Sequence, residues 1–231
     1  MKVLFAGPSL WGASYDPYGL VVRPPARQGD LHRAVLEGAD AIGLVDGVFG
    51  FVPSVWHKEI LFALKQGVRV LGAASLGALR AAECAPFGME AIGPIARSYR
   101  DGHRIEDADV CLAHAPGELD FMPLSEPLVD VEATVVAMAG RGLATQSEAR
   151  DLLAAAQSIY FADRTVDEIV STAGLPHLRA AYREARIGAK TADALLLIEH
   201  LRALPAGRGP APDWQFVESD AWRYYLRNMA A

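Results

Sequence analysis

The chain has 231 residues, 52% hydrophobic and 22% charged, enough to bury the core of one large α/β domain or of a domain with a smaller appendage. Its formal net charge of -6 disfavours nucleic-acid binding, which depends on neutralising phosphates with Lys and Arg. No apolar run is long enough to span a membrane, no signal-peptide pattern is present, and two cysteines do not suggest a disulfide framework. We therefore expect a cytoplasmic protein with reduced thiols and no membrane partner.

Short apolar segments predict buried strands that alternate with helices. The strands cover residues 2–6, 41–45 and 68–72, and the helices between them cover residues 30–37 and 55–66. Each of these helices is followed by a glycine, which is a common helix stop. Strands alternating with helices of about ten residues predict the α/β class, with an open, mainly parallel, Rossmann-like sheet.

Other parts of this N-terminal half are less regular. Residues 11–29 are rich in Gly, Pro and Tyr and predict one long loop, which is often functional in a compact domain. Two weaker strands are predicted near residues 91–95 and 110–113. Asp30 and Ser54 are expected to cap the first two helices through their side-chain oxygens.

After Pro127 the sequence becomes rich in Ala, Leu and charged residues. Thr145 and Thr165 each precede a Glu by three residues, which matches the capping box of a helix start. We therefore divide the chain into an α/β domain, residues 1–129, and a mostly helical C-terminal region, residues 130–231. The C-terminal tail carries aromatic residues that need a groove to bury them: Trp214, Trp222, Tyr224 and Tyr225.

Ser75 lies where the third predicted strand turns sharply into a helix, within Ala73-Ala74-Ser75-Leu76-Gly77. The first N–H groups of a helix are unpaired, so a serine at this turn can act as a nucleophile with an oxyanion site beside it. The N–H of Leu76 or of Gly77 is the candidate donor to that oxyanion. The alternative is an ordinary N-cap serine.

Further polar residues follow the carboxyl ends of the predicted strands, where open parallel sheets bind ligands. Asp46 follows the second strand, and His57 near the next helix start is the best candidate for the base. An exposed histidine with no catalytic role is the alternative. If the second and third strands are neighbours, His57 and Asp46 reach Ser75; if the first strand lies between them, the Gly7-Pro8-Ser9 turn is nearer.

Arg80 and Glu83 are three residues apart and share a helix face, so they can form a structural ion pair. The functional alternative is that Arg80 binds a carboxylate. Asp30 is interpreted as a helix cap rather than a catalyst. The histidines show no close metal-ligand spacing, and no glycine-rich phosphate-binding loop is present, so we predict neither a metal nor a cofactor.

Several phrases, in order along about residues 3–130, resemble the TfuA-like core domain. They are Phe5-Ala-Gly-Pro-Ser-Leu10, Pro24-Pro-Ala-Arg-Gln-Gly-Asp-Leu31, Asp40-Ala-Ile-Gly-Leu-Val-Asp-Gly-Val-Phe49, Val55-Trp-His-Lys-Glu-Ile60 and Gly72-Ala-Ala-Ser-Leu-Gly-Ala-Leu-Arg-Ala-Ala-Glu83. Phe87-Gly88, Tyr99-Arg-Asp-Gly102 and Pro123-Leu-Ser-Glu-Pro127 fit the same pattern.

The resemblance implies a partner of a YcaO enzyme in peptide backbone thioamidation. The implied role is sulfur delivery, in which a ThiS-type carrier with a C-terminal thiocarboxylate is hydrolysed to release sulfide; the precursor peptide is a further possible partner. Combined with the residue patterns, it predicts Ser75, His57 and Asp46 as catalytic residues. The predicted substrate-binding residues are Gly7, Pro8, Ser9, Asp30, Leu76, Gly77, Arg80 and Glu83.

Two other functions fit the same residues. The chain could be a non-catalytic adaptor that binds YcaO and holds a sulfur carrier or a peptide. It could also be an unrelated serine esterase, which activity on simple esters without a carrier would reveal.

Overall fold

The computed structural model describes residues 1–50 and 52–229. Its strands are β1 (Lys2–Phe5), β2 (Leu20–Arg23), β3 (Ala41–Leu44), β4 (Arg69–Gly72) and β5 (Glu90–Ala91). The helices between and after the strands are α1 (Asp30–Leu36), α2 (His57–Lys65), α3 (Leu76–Cys84), α4 (Gly93–Arg100), α5 (Leu128–Gly140), α6 (Gln146–Ser158), α7 (Val166–Thr172), α8 (Arg179–Ala185), α9 (Ala189–Ala203) and α10 (Asp220–Met229).

The five strands form one open sheet in the order β2-β1-β3-β4-β5, and every pair is parallel. This confirms the predicted α/β class with a parallel sheet. Strands β3 and β4 are neighbours, so the first of the two strand orders considered above is the one observed. The chain leaves β1 toward β2 on one side and leaves β3 toward β4 on the other. The topological switch point, where such sheets bind ligands, therefore lies between β1 and β3.

The two faces of the sheet are covered by different parts of the chain. Ile42 and Leu44 of β3 belong to the core cluster shared with α1, α2 and α3. Gly43 faces the other way, where a Cβ atom would lie 2.6 Å from Leu197 and 2.9 Å from Leu201 of α9. Helix α9 therefore lies directly on the sheet, and glycine is needed for this close approach.

Helices α5 to α8 form a separate apolar cluster around Met138, Leu152 and Tyr182, all fully buried. The chain then returns to the sheet through α9. The last helix, α10, packs Trp222 onto Phe62 of α2 and His32 of α1, with ring centroids 5.6 and 5.4 Å apart. Trp222 and Tyr225 of the aromatic tail are therefore buried, as its composition predicted, whereas Tyr224 is 66% exposed. No helix among residues 1–50 and 52–229 combines the length and apolarity of a bilayer span.

Three predicted elements differ from the structure. Residues 20–23 form the edge strand β2 rather than loop. Its apolar run, Leu20-Val21-Val22, is only three residues long and lies within a Gly- and Pro-rich segment, and Val21 and Val22 are exposed. Of the predicted strand near residues 91–95, only Ala91 belongs to a strand, β5, because Gly93-Pro94 starts α4. Residues 110–113 form no strand; instead His114 makes an isolated bridge to Pro123.

The predicted helix caps were partly wrong. Gly29, at φ 98°, is the N-cap of α1, and Asp30 instead accepts from the Arg27 N–H and pairs with Arg33. The hydroxyl of Ser54 donates to the Val48 carbonyl, so it caps no helix.

The start of α6 agrees with the predicted capping box. The Thr145 hydroxyl accepts from the Glu148 N–H, and the Glu148 carboxylate accepts from the Thr145 N–H. The hydroxyl of Thr165 likewise accepts from the Glu168 N–H at the start of α7.

Candidate functional site

Ser75 is held at a strained turn between β4 and α3. The preceding residue, Ala74, has φ 62°, a left-handed conformation that costs energy for any residue with a Cβ. Ser75 is the N-cap residue of α3, but its hydroxyl does not cap the helix. The side chain is 5% exposed. The turn therefore leaves a nearly buried hydroxyl that is not used in capping.

The two predicted oxyanion donors differ in availability. The Gly77 N–H donates to the Val45 carbonyl at 3.1 Å, so it is already used. No acceptor for the Leu76 N–H is found in the part of the chain that the structure describes. Leu76 is therefore the open donor next to Ser75. Gly77 has a packing role, since a Cβ there would lie 1.8 Å from the Leu44 carbonyl oxygen.

His57 belongs to an ion-pair cluster away from Ser75. Its Nε2 atom lies 2.8 Å from Oε2 of Glu83, which also accepts from Arg80 at 2.7 Å. Glu83 is eight residues beyond Ser75 on α3, about 12 Å along the axis at about 1.5 Å per residue. Although β3 and β4 are neighbours, the predicted hydrogen bond between His57 and Ser75 is not formed.

The pKa of Glu83 reflects this cluster. Burial raises it, but the hydrogen bonds from His57 and Arg80 outweigh burial and bring it below its ordinary value. Arg80 also donates to the Val55 carbonyl at 2.9 Å. The ion pair considered for Arg80 and Glu83 is therefore present, and Glu83 takes up one terminal nitrogen of the guanidinium.

Asp46 links the ends of β1 and β3 at the switch point. Its Oδ2 atom accepts from the N–H of Gly7 at 2.8 Å and of Ser9 at 3.1 Å, and its Oδ1 atom accepts from the Ser9 hydroxyl at 2.7 Å. The carboxylate is 2% exposed. Asp46, Gly7 and Ser9, all predicted site residues, are thus brought together, and Asp46 fixes the Gly7-Pro8-Ser9 turn.

A pocket of about 210 Å³ opens beside this turn. It is lined by Pro8, Ser9, Trp11, Leu112, Pro123, Pro127, Asp130, Arg186, Gly188, Lys190 and Thr191. We call it the switch-point pocket. Five of its eleven lining residues come from α5, α9 and the segment before α9, which the sequence patterns assigned to a separate helical region. Lys190 gave no motif signal, because a single lysine at a helix start looks like a surface residue.

A second, larger concavity of about 690 Å³ lies between α10 and the segment before α2. Its walls are mainly apolar and aromatic and include Val55, Trp56 and Tyr225, with His57 and Arg80 at its margin. We call it the α10 groove. It suits an apolar group of a partner molecule better than a reacting polar one.

Both cysteines are free and buried. Burial raises the pKa of Cys84 to about 12 and that of Cys111 to about 11. A thiolate is therefore scarce at neutral pH at either position, which disfavours nucleophilic roles.

Fold and site together define an α/β protein with an open parallel sheet and a polar cleft at the carboxyl edge of its strands. Residues 46–165 match the family described as TfuA-like protein, which covers just over half of the chain. The chain belongs to the TfuA-like family. The matched segment includes Asp46, Ser75 and Asp130, whereas Ser9 and Lys190 lie outside it. No curated protein matches the chain.

Proposed function

We propose that this TfuA-like protein supplies sulfide to a YcaO enzyme in peptide backbone thioamidation. Its substrate is the C-terminal thiocarboxylate of a ThiS-type carrier, and Ser75 is the nucleophile. The observation that carries this proposal is the strained Ala74 turn, which presents an uncommitted hydroxyl next to the open Leu76 N–H at a helix N-terminus. An oxyanion formed there gains both a hydrogen bond and the favourable end of the helix dipole.

The proposed reaction is an acyl transfer followed by hydrolysis, and it involves no change of oxidation state. Ser75 Oγ bonds to the acyl carbon, the carbon–sulfur bond breaks, and the proton of Ser75 leaves with the sulfur as hydrosulfide. Water then hydrolyses the acyl-serine ester: its oxygen bonds to the acyl carbon, the ester bond to Ser75 breaks, one water proton goes to Ser75 Oγ and the other is released to solvent, which leaves the carrier with a carboxylate end. The Leu76 N–H donates to the oxyanion in both steps.

In this proposal, the other predicted catalytic residues have supporting tasks. Asp46 holds the Gly7-Pro8-Ser9 turn, which forms one wall of the cleft. His57 and Glu83 orient Arg80 at the margin of the α10 groove, where its other terminal nitrogen is available to donate to the carrier.

The test is sulfide release from the thiocarboxylated carrier by wild type and by Ser75→Ala. We expect the variant to lose more than about a thousand-fold in kcat, as is typical when a serine nucleophile is removed. Ser147→Ala, at an exposed position of α6, is the matched control and should keep the wild-type rate. A Ser75→Ala rate equal to that of the control would remove Ser75 as nucleophile.

A non-catalytic adaptor is the second candidate function, and the α10 groove favours it. An open apolar surface of this size can dock a partner protein without any reaction in the cleft. The two functions differ in a thioamidation assay with purified YcaO and added sulfide. If the chain is a hydrolase, ample sulfide reduces the need for it; if it is an adaptor, it is still required.

A further inference from the structure

We propose that the switch-point pocket binds the carboxylate-like, singly charged end of an extended chain, and that Lys190 supplies the positive charge that holds it. This inference rests on the proposed function only for the identity of that chain end. Lys190 belongs to none of the sequence motifs and lies outside the segment matched to the family.

Lys190 is a buried cation with unused hydrogen-bonding capacity. It is 2% exposed, and its Nζ atom donates to the Val110 carbonyl at 2.7 Å. Among residues 1–50 and 52–229, Nζ forms no ion pair with a carboxylate. An ammonium group has three N–H donors, so two of them have no acceptor in the described part of the chain. Burial lowers the pKa of Lys190, because a buried ammonium group loses its hydration and has no directly paired carboxylate to replace it.

The carboxylates around Lys190 are each occupied by other donors. Asp46 accepts from the Gly7-Pro8-Ser9 turn. Asp130 accepts from the backbone N–H of Lys190 at 2.9 Å, so it caps the start of α9 rather than pairing with Nζ. Glu126 receives two nitrogens of Arg186, at 3.1 and 3.0 Å. The free N–H groups of Lys190 therefore remain available to a ligand.

Charge and shape restrict the ligand. Asp46 and Asp130 are close enough to stabilise the charged form of Lys190, and they would repel a dianion such as a phosphate monoester more strongly than a single charge. The pocket holds about 210 Å³, and Pro8, Trp11 and Leu112 give it apolar walls. A slim chain end with one negative charge fits these limits.

The position of the pocket relates it to Ser75. Asp46 follows β3, and Ser75 follows the neighbouring strand β4, about 4.8 Å away in the sheet. A chain end that reaches the pocket therefore lies at the same edge of the sheet as the proposed nucleophile. A thiocarboxylate carries the same single charge as a carboxylate, so the pocket suits both substrate and product.

The test uses a non-hydrolysable probe, so it does not depend on turnover. Binding of an acetylated Ala-Gly-Gly peptide with a free carboxylate is compared with that of its C-terminal amide, by calorimetry on the full chain. We expect the acid to bind on the order of 10-fold or more tightly than the amide. Lys190→Met should bring the acid to the level of the amide. Lys65→Met removes an Nζ that donates to the Pro212 and Trp214 carbonyls and does not line the pocket, so it should leave the difference intact.

A labelling experiment covers the case in which Lys190→Met does not fold. The chain has four lysines, at positions 2, 58, 65 and 190, so slow acetylation of wild type can be followed at each by mass spectrometry. The acid, and not the amide, should protect Lys190 while the other three lysines acetylate at unchanged rates. Equal binding of acid and amide, or acetylation of Lys190 at the same rate with and without the acid, would overturn the assignment.

The outcomes separate this inference from the proposed function. If the acid protects Lys190 while Ser75→Ala still releases sulfide, the pocket is supported and the serine mechanism fails. If Lys190→Met releases sulfide with unchanged kcat and KM, the pocket assignment fails and the hydrolase function stands.

Discussion

Glu59 joins the starts of α1 and α2 through a fully buried carboxylate. It accepts from the N–H groups of Gly29 at 2.8 Å and Trp56 at 3.2 Å, and it is 0% exposed. Burial raises its pKa from an ordinary 4.5 to about 7, although these hydrogen bonds act in the opposite direction. The ionised form of Glu59 therefore lowers the stability of the folded state.

The raised pKa of Glu59 predicts that the stability of the protein depends on pH. Because the pKa of Glu59 is higher in the folded state, that state binds more protons than the unfolded chain between about pH 4.5 and 7. The free energy of unfolding of wild type should therefore fall by about 3 kcal/mol relative to Glu59→Gln as the pH rises through this window. Urea unfolding at a series of pH values measures it. Glu199→Gln, at an exposed site, should show no such trend, and a constant difference for Glu59→Gln would contradict the prediction.

At the scale of elements, helix α3 is placed by backbone contact with β3. The Gly77 N–H reaches the Val45 carbonyl, and no Cβ fits between Gly77 and Leu44. This contact sets where Ser75 sits relative to Asp46. Sequence patterns suggested Gly77 as an oxyanion donor, and only the packing of α3 against β3 shows that its N–H is already used.

Two glycine substitutions test this placement. Gly77→Ala should destabilise the protein by about 3 kcal/mol or more, because its Cβ overlaps backbone that cannot move freely. Gly140→Ala is the matched control: it lies in α5, and a Cβ there meets nothing within 4 Å. It should be neutral or stabilise by up to about 1 kcal/mol. Denaturant unfolding gives both values, and equal effects would refute the proposed role of Gly77.

At the scale of the whole molecule, α9 covers one face of the sheet, whereas α5 to α8 form a cluster of their own. Ala194, Leu197, Ile198 and Leu201 of α9 are buried against one sheet face. The segment after α9 adds polar contacts, such as those of Arg69 with the Pro205 and Gly207 carbonyls. Helices α5 to α8 therefore precede α9 in the sequence, although it is α9 that lies against the sheet.

Two truncations test the separate contributions of α9 and of the segment after it. Removal of residues 189–231 should prevent soluble folding, because it exposes the apolar face that α9 covers. Removal of residues 205–231 should leave a folded but less stable protein, since the sheet core remains covered. Circular dichroism and denaturant unfolding of both truncated chains provide the measurement. A cooperatively folded 1–188 chain would contradict this description of α9.

The sequence by itself determined the alternation of strands and helices, the parallel sheet and the capping box at Thr145, because these depend on residues close together in the chain. It also placed Asp46 and Ser75 just beyond the carboxyl ends of apolar strands, where the structure has them. Only the tertiary structure decided that His57 contacts Glu83, that β2 forms the sheet edge, and that Lys190 reaches the switch point. Those contacts join residues far apart in sequence, and they follow from strand order and helix packing, which no local pattern encodes.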